Sequence, residues 1–431
     1  MTVFTPSDIK RGFSNAGWLL AGNYASQALS LVTMVVIARK LGPGGYGMLS
    51  TATAFIGLFS VFHLSGFDRV FLRQSVANPD EKESLYARLL GLKLLSGVTG
   101  IIIAVGALFL FSDYTTQERL LVVLFSLTLL TQAVNSLITS VFQVHEDMQW
   151  LSVGNLARQT LYILVAGIGL WAGFYPDHRV IMVMSVLVAS YVCVAAFYAY
   201  IAMRYISRPL LPAWPRLPRD FIKAGVTFSL ATLVVYLYTK VDILMARAFV
   251  TAAEVGLYSV CMNTVDRLTS PLGVMLTAFF PSAVRRIHER GGADMGSLRR
   301  IAVGFGLAGV GVAAVGTLFA PWAVPLILGE GYSGAVAPLR VLLWAVVPTI
   351  AMMPLVTALQ ASRHEDAILR LAPLRAGLNV VLDFVFLSAG HGILGVAWGS
   401  VITSVAFNGV FMVYASRRLR SGIRAGGGET S

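Results

Sequence analysis

The stretch Val235–Ser259, VYLYTKVDILMARAFVTAAEVGLYS, decides the architecture because its layout recurs in the first half of the chain. The earlier copy is Ile37–Ser50, IARKLGPGGYGMLS. Each copy has an Ala-Arg pair followed by a glycine that opens an apolar run, Gly47 in the first copy and Gly256 in the second. The offset is close to half of the 431 residues. The sequence therefore predicts two copies of one structural unit.

The composition indicates the class of protein. The chain is 56% hydrophobic and only 13% charged, and its mean hydropathy is +0.74. Too few polar side chains remain to cover a soluble globule, so we predict a polytopic membrane protein. The uncharged run Gly12–Ala38 is too long for a signal-peptide core, and we expect a retained anchor. Cys193 and Cys261 lie in apolar segments, which predicts buried packing residues and no disulfide framework.

Apolar segments long enough to span a bilayer occur along the whole chain. A helix needs roughly 20 mostly apolar residues to cross the hydrocarbon core, where the backbone must satisfy its own hydrogen bonds. Segment 11 is the weakest of the twelve because it contains Arg370, Pro373, Arg375 and Asp383. The predicted segments are 14–38, 47–68, 89–111, 120–144, 150–173, 180–203, 222–246, 255–283, 300–320, 338–361, 367–389 and 393–416.

A proline-rich basic stretch divides the segments into two sets of six. Residues 204–223 contain four prolines and five basic residues, so one helix cannot run through them. They predict either a linker on the membrane surface, with Trp214 among the headgroups, or a plain loop. We expect an all-α fold of about twelve helices in two repeated bundles around a central cavity: lobes at 1–203 and 224–416, and a tail at 417–431.

Basic residues cluster in alternate connections, which sets the orientation. One such connection carries Arg69, Arg73, Lys82, Arg88 and Lys93. Because short cytoplasmic loops carry the excess of Lys and Arg, both termini are predicted to face the cytoplasm. Topology and anionic lipid thus account for the net charge of +12. No soluble domain is predicted that would present a nucleic-acid surface, so no nucleic-acid partner is expected.

Charged residues within the spans are the first candidates for a function. They are Arg158, Lys240, Arg267, Asp242 and Asp266. Each costs at least ~2.5 to 3.5 kcal/mol to insert at the bilayer centre, so each is expected to face a partner or a wet cavity. Lys240 and Asp242 are two residues apart and point to different helix faces, so each needs a partner on another helix. A structural ion pair is the alternative.

Polar stripes on three predicted helices favour a hydrated interior. Residues spaced by about one helical turn share a face. A single stripe often serves hydrogen bonding between helices. Three stripes together with buried cations indicate that water reaches the interior. The stripes are Asn23, Ser26, Gln27 and Ser30; Thr128, Gln132, Asn135 and Thr139; and Ser259, Asn263, Asp266 and Ser270.

Soluble-enzyme motifs do not occur in the sequence. It contains no Gly-Lys phosphate loop and no paired histidines at metal-ligand spacing, so no bound metal is expected. The run GPGGYG, Gly42–Gly47, lies at the end of a predicted segment and indicates a tight external turn. His63 is the one histidine that we consider a candidate proton-sensitive group.

The two copies carry a family resemblance. IARKLGPGGYGMLSTATAFIGLFSVFHLSGFDRVFLRQ and YTKVDILMARAFVTAAEVGLYSVCMNTVDRLTSPLGVMLTAFFPSAVRR resemble the Wzx-type polysaccharide flippases of the multidrug/oligosaccharidyl-lipid/polysaccharide exporter superfamily. The shared features are a basic-leucine-glycine turn before a Tyr-Gly, an acidic Asp242 in helix 7, the run Gly256–Ser259 that opens helix 8, and Pro281 that closes it.

The resemblance implies a transporter of the bacterial inner membrane. Such proteins move an undecaprenyl-diphosphate-linked oligosaccharide through a central cationic cavity between two lobes, by alternating access, and work beside a polysaccharide polymerase and glycosyltransferases. Three cations, Lys240, Arg267 and Arg158, would offset the diphosphate charge. The amides Asn23, Gln27, Asn135 and Asn263 would line the path. Coupling to H⁺ or Na⁺ would use Asp242, Asp266 and Asp383, and no organic cofactor is expected.

Two other functions remain open at this point. A drug or toxin exporter of the same superfamily would be expected to have an acidic cavity for organic cations, whereas the buried charges here include three cations. A membrane-embedded glycan polymerase or ligase would be expected to have a long external loop, and each predicted external connection is short. A membrane scaffold would leave the duplication unexplained.

Overall fold

The structure, a computed structural model, describes residues 6–110, 114–173, 178–205, 212–214, 216–269, 295–361 and 366–426. Within these ranges the regular elements are helices, which confirms the predicted all-α class. The α-helices are α1 (Pro6–Leu58), α2 (Ser65–Ala77), α3 (Lys82–Ala107), α4 (Thr116–Val144), α5 (Gln149–Trp171), α6 (Arg179–Ala202), α7 (Arg219–Phe249), α8 (252–269), α9 (Met295–Leu328), α10 (Val336–Leu342), α11 (Val346–Ala361), α12 (Asp366–Ser388) and α13 (Gly392–Gly426).

Many of these helices have the length and composition of membrane spans. Among the described residues, eight spans meet both criteria. A ninth is obtained if the two parts of α7, which meet at a bend of 51°, count as one span. The protein is therefore a multi-pass membrane protein. The weakest predicted segment forms the continuous helix α12, with Pro373 inside it. The prediction that segment 9 ends at 320 is wrong, because α9 continues through Pro321 and Pro325 to Leu328.

The chain forms two compact units. Unit 1 comprises Met1–Leu41 and Met48–Lys240, and unit 2 comprises Gly42–Gly47 and Val241–Ser431. The chain passes from one unit to the other inside α1 and inside α7. The described residues of the proline-rich stretch belong to unit 1. The lobe boundaries expected from the sequence stay a prediction, because these units follow packing and not the repeat.

Each unit has its own apolar core. In unit 1, α4 packs against α2, α3 and α6, with the buried side chains Phe71, Leu89 and Leu137 among the helices. In unit 2, α11 packs against α9 and α13, and α12 packs against α13. Met352 and Phe411 lie in the core between these helices. These pairings fix the helices that carry the polar residues described below.

The run GPGGYG contains the kink at which the two helical parts of α1 meet, where the sequence predicted a tight turn; its external side stays a prediction. Gly42 has φ 69° and ψ 174°, a conformation that favours glycine, and Pro43 follows it inside the helix. Helical structure resumes after the bend, and residues 45–47 are buried. Gly42 thus forms the turn, whereas Gly47 permits close packing because it presents no side chain.

The two cysteines differ in their surroundings. Cys261 is buried in α8, as predicted, whereas Cys193 is exposed on α6 and its predicted burial is wrong. A membrane helix can carry an apolar side chain on its outer face because lipid, not water, contacts that face. Both thiols are free.

Candidate functional site

Two carboxyl groups approach each other inside unit 2. Asp242 of α7 is 1% exposed and Asp383 of α12 is 0% exposed. Tyr258 Oη donates to Asp242 Oδ2 at 2.9 Å, and Ser400 Oγ lies 3.2 Å from the same oxygen. The partners of Asp242 are therefore on other helices, as its position two residues after Lys240 predicted. They are hydroxyl groups and not a cation.

Asp383 is positioned by its own helix and by a glycine of α13. Asn379 lies one turn earlier on α12 and donates from Nδ2 to Asp383 Oδ2 at 2.8 Å. A Cβ at Gly399 would lie 2.8 Å from Asp383 Oδ1, so the absence of a side chain there makes room for the carboxyl group. The second oxygens, Asp242 Oδ1 and Asp383 Oδ1, are buried and receive no hydrogen bond from another residue's N–H or O–H group, and the two carboxyl groups lie within hydrogen-bonding reach of each other.

This pair has the chemistry of a site for a small cation. The two carboxyl groups interact electrostatically, and two neighbouring carboxylates in a low-dielectric interior cannot both stay ionised without compensation. A proton shared by the two carboxyl groups would compensate the charge, and so would a hard monovalent cation with oxygen ligands. Within the described ranges, no group of three or more His, Cys, Asp or Glu side chains is arranged to hold a metal ion.

A second polar cluster of unit 2 surrounds Arg267 of α8. Arg267 is partly buried, and its Nη1 donates to the carbonyl oxygen of Asn263 at 3.1 Å. The Asn263 side chain donates from Nδ2 to Tyr46 Oη at 3.0 Å. Asp266 is exposed beside Arg267 and is not among the hydrogen-bond partners of the carboxyl pair. The structure thus separates Asp266 from the other two predicted ion-coupling residues.

The remaining predicted cations belong to unit 1. Arg158 of α5 lies over the ring of Tyr191, with Cζ 4.8 Å from the ring centre. This cation–π contact partly compensates the charge in an apolar setting. Lys240 is partly buried at the last position of unit 1. Unit 1 and unit 2 therefore each carry predicted substrate-binding cations.

The polar stripes differ in how many of their buried polar atoms have hydrogen-bond partners. Thr128 and Ser259 are 0% exposed, and Thr128 donates to the carbonyl of its own helix at Phe125, which is a structural use. Gln27 Oε1 and Asn135 Oδ1 are buried without a hydrogen-bond partner. Asn23 is exposed. Ser270 and Pro281, which were part of the sequence patterns, lie outside the described residues.

Similarity to known proteins shows the family in which these clusters occur. Residues 13–286, more than half of the chain, match the family described as "Polysaccharide biosynthesis protein". The chain belongs to this polysaccharide biosynthesis family. No curated protein matches the chain in sequence.

Solved structures share the fold of this polysaccharide biosynthesis protein. One is an inward-facing multidrug resistance MATE family transporter of the MOP superfamily, with a TM-score of 0.77 and 17% identity over 94% of this chain and 96% of that chain. Another is a MOP superfamily transporter from Pyrococcus furiosus Vc1, with a TM-score of 0.62 and 16% identity over 94% and 95%. At these identities the likeness establishes the fold of MOP superfamily transporters.

One charged cluster of this polysaccharide biosynthesis protein escaped the sequence analysis. Lys93 was assigned to a connection, but it lies in α3 and is 0% exposed, so that assignment is wrong. Its Nζ is 2.8 Å from Asp68 Oδ1 and also donates to the carbonyl oxygen of His63 at 2.9 Å and to Ser136 Oγ at 2.8 Å. Opposite charges inside neighbouring apolar segments were the signal available in the sequence.

The Lys93 cluster stabilises a break in the chain. The 3-10 helix Phe59–His63 ends at Leu64, which has φ 51°, and α2 begins at Ser65. Lys93 places a cation at the carbonyl end of this 3-10 helix and pairs with Asp68 in the first turn of α2, so both charges match the helix-end polarity. His63 Nε2 is buried without a partner. Arg375, which the sequence places inside segment 11, lies in α12 with Cζ 5.2 Å from the centre of the Phe407 ring.

Proposed function

We propose that this polysaccharide biosynthesis protein is a flippase. It moves an undecaprenyl-diphosphate-linked oligosaccharide across the bacterial inner membrane by alternating access, with both termini in the cytoplasm. The observation that carries the proposal is Arg267, a partly buried guanidinium on an apolar helix whose direction is fixed by its bond to the Asn263 carbonyl. A planar guanidinium matches the paired oxygens of a diphosphate better than it matches a neutral or cationic drug.

Two further features support the proposal. Lys240 of α7 and Arg158 of α5 add positive charge in unit 1, as Arg267 does in unit 2. The unpartnered polar atoms Gln27 Oε1 and Asn135 Oδ1 would gain hydrogen bonds from a glycan or from water. The polyprenyl tail would stay in lipid. A polysaccharide polymerase and glycosyltransferases would be the enzymatic partners.

The driving force would enter at Asp242 and Asp383. Binding of H⁺ or Na⁺ between the two carboxyl groups neutralises a buried like-charge pair, so an ion gradient can change the stability of this part of unit 2. Tyr258, Ser400 and Asn379 direct donors at one oxygen of each carboxyl group, which leaves the other oxygen available to the ion.

A transport assay with matched arginine variants tests the flippase. Arg267→Ala and Lys240→Ala are expected to lower translocation of a lipid-linked oligosaccharide in proteoliposomes at least tenfold, because a charge-assisted bond is worth ~1.5 to 3 kcal/mol. Arg179→Ala, at an exposed position at the start of α6, is the control and should transport normally. Unchanged transport by Arg267→Ala and Lys240→Ala would remove both residues from the mechanism.

The same proteoliposomes separate the alternatives. A multidrug exporter would take up organic cations and ignore the lipid-linked oligosaccharide. A glycan polymerase or ligase would lengthen or transfer the glycan instead of moving it. The long external loop expected of such an enzyme has no counterpart between α3 and α4 or between α5 and α6, where the intervals are short.

A further inference from the structure

The hexapeptide Gly42–Gly47 packs with unit 2, although the residues that flank it in the chain pack with unit 1. The residues on both sides of it, up to Leu41 and from Met48, belong to unit 1, whereas the hexapeptide itself belongs to unit 2. It therefore sits against a helix of unit 2 while both of its ends are covalently joined to unit 1. That helix is α8, and release of the hexapeptide from it would break the contacts described below.

The packing is reciprocal between the two repeat copies. A Cβ on Gly47 would lie 1.7 Å from the carbonyl oxygen of Ala252, and a Cβ on Gly256 would lie 2.0 Å from the carbonyl oxygen of Pro43. Gly47 and Gly256 are the glycines that the sequence repeat equates. Backbone faces backbone on both sides, as in helix crossings built from small residues four apart. Both carbonyl groups belong to the backbone, so neither can move aside as the end of a flexible side chain can.

Tyr46 connects this crossing to Arg267. It is 6% exposed and precedes Gly47 in the buried turn. Its hydroxyl accepts a hydrogen bond from the Asn263 side chain, while the Asn263 carbonyl accepts one from Arg267 Nη1. Tyr46 also interacts electrostatically with Arg267. The tyrosine can make these contacts only while the hexapeptide is packed against α8.

We propose that Tyr46 is a positioning residue that holds Arg267 in its diphosphate-binding direction only while the hexapeptide is packed against α8. The inference rests on the proposed function and deepens it, because it ties the affinity of one substrate-binding cation to the state of α1. By reciprocity, a diphosphate bound at Arg267 must change the tendency of the hexapeptide to leave α8.

A thiol-labelling experiment on the full-length protein measures this coupling. Gly44→Cys places the reporter where a Cβ has nothing within 4 Å, and Cys193→Ala removes the exposed native thiol. The probe is farnesyl diphosphate, and farnesol is the ligand without the diphosphate. Farnesyl diphosphate, but not farnesol, should change the rate of labelling by a water-soluble thiol reagent at least about fivefold, the lower end of usual coupling between sites.

Three added substitutions separate positioning from structure. Tyr46→Phe keeps the ring and removes the hydroxyl, so the probe should still bind while its effect on labelling falls below about twofold. Gly47→Ala should give fast labelling with or without the probe, because a methyl group cannot fit against the Ala252 carbonyl. Tyr86→Phe is the matched control: Tyr86 is 2% exposed and its hydroxyl lacks a hydrogen-bond partner, so the probe response should persist.

The outcomes distinguish the two proposals. A full probe response in Tyr46→Phe overturns the positioning role and leaves the flippase intact. Equal labelling of Gly47→Ala and its parent overturns release of the hexapeptide as the event that is coupled. Failure of farnesyl diphosphate to bind the parent protein, measured directly by calorimetry, refutes the diphosphate site and the positioning role together.

Discussion

The buried pair of Lys93 and Asp68 gives a quantitative test of how unit 1 is stabilised. Asp68→Leu leaves the Lys93 ammonium, which is 0% exposed, with only the neutral acceptors His63 O and Ser136 Oγ. Removing one partner of a buried pair costs about 3 to 5 kcal/mol. Lys93→Met should cost less, because the Asp68 side chain is 12% exposed and can become neutral by taking up a proton.

The double variant, Asp68→Leu with Lys93→Met, shows whether the two charges stabilise one another or whether each substitution simply disrupts the structure. With both charges removed, the remaining loss is mainly the uncapped His63 carbonyl, at about 1 to 3 kcal/mol. The double variant should therefore be more stable than Asp68→Leu alone. Lys223→Met, at an exposed position in α7, is the control and should stay within about 0.5 kcal/mol of the parent.

Cys261 provides the assay for this cycle. It is buried while Cys193 is exposed, so in a Cys193→Ala background a thiol dye reacts with Cys261 only on unfolding. The free energy of unfolding follows from labelling across a series of denaturing mixed micelles. If the losses from the two single variants simply add in the double variant, the two charges do not stabilise one another and the reasoning fails.

Three further predictions concern local features. Gly42→Ala should destabilise the protein by about 1 to 2 kcal/mol, because its φ of 69° strains an L-residue, whereas Gly44→Ala should cost nothing; thermal unfolding of the pair measures the difference. Thr115→Ala should cost about 1 kcal/mol through loss of the capping box with Glu118 at the start of α4, and equal unfolding of variant and parent would contradict it. Asp383→Asn should relieve like-charge repulsion and so preserve stability while transport loses its response to an ion gradient; a retained response would exclude this carboxyl group from coupling.

The sequence was most informative where composition alone decides the structure. Long apolar runs had no alternative to helices, because the backbone has no other partners in lipid. α12 formed even with Pro373 inside it, since neighbouring helices can satisfy the freed backbone groups. The bends and packing of helices were harder to predict. Gly42–Gly47 has the composition of a turn and bends at Gly42, but the close packing of Gly47 against α8 depends on the fold.

The sequence identified charged residues within the apolar segments as unusual, but it could not identify their interaction partners. Asp242 was singled out from one residue inside an apolar run, yet its neighbour Asp383 is distant in sequence and the pairing depends on how α7 and α12 pack. Lys93 was missed because the rule that assigns basic residues to connections reads sequence position alone. A lysine one turn inside a predicted segment can serve either a membrane surface or a buried carboxylate, and only the fold decides.

The reciprocal contact of Gly47 and Gly256 bears on how the two halves came to be joined. One copy of the motif already contains both parts of the contact: a residue without a side chain, and a carbonyl oxygen one turn earlier. Such a surface is complementary to itself, like the interface of a two-fold homodimer. A duplicated gene would thus inherit a working junction between its halves, and the flanking residues, Tyr46 in one copy and Val255 in the other, would be free to diverge.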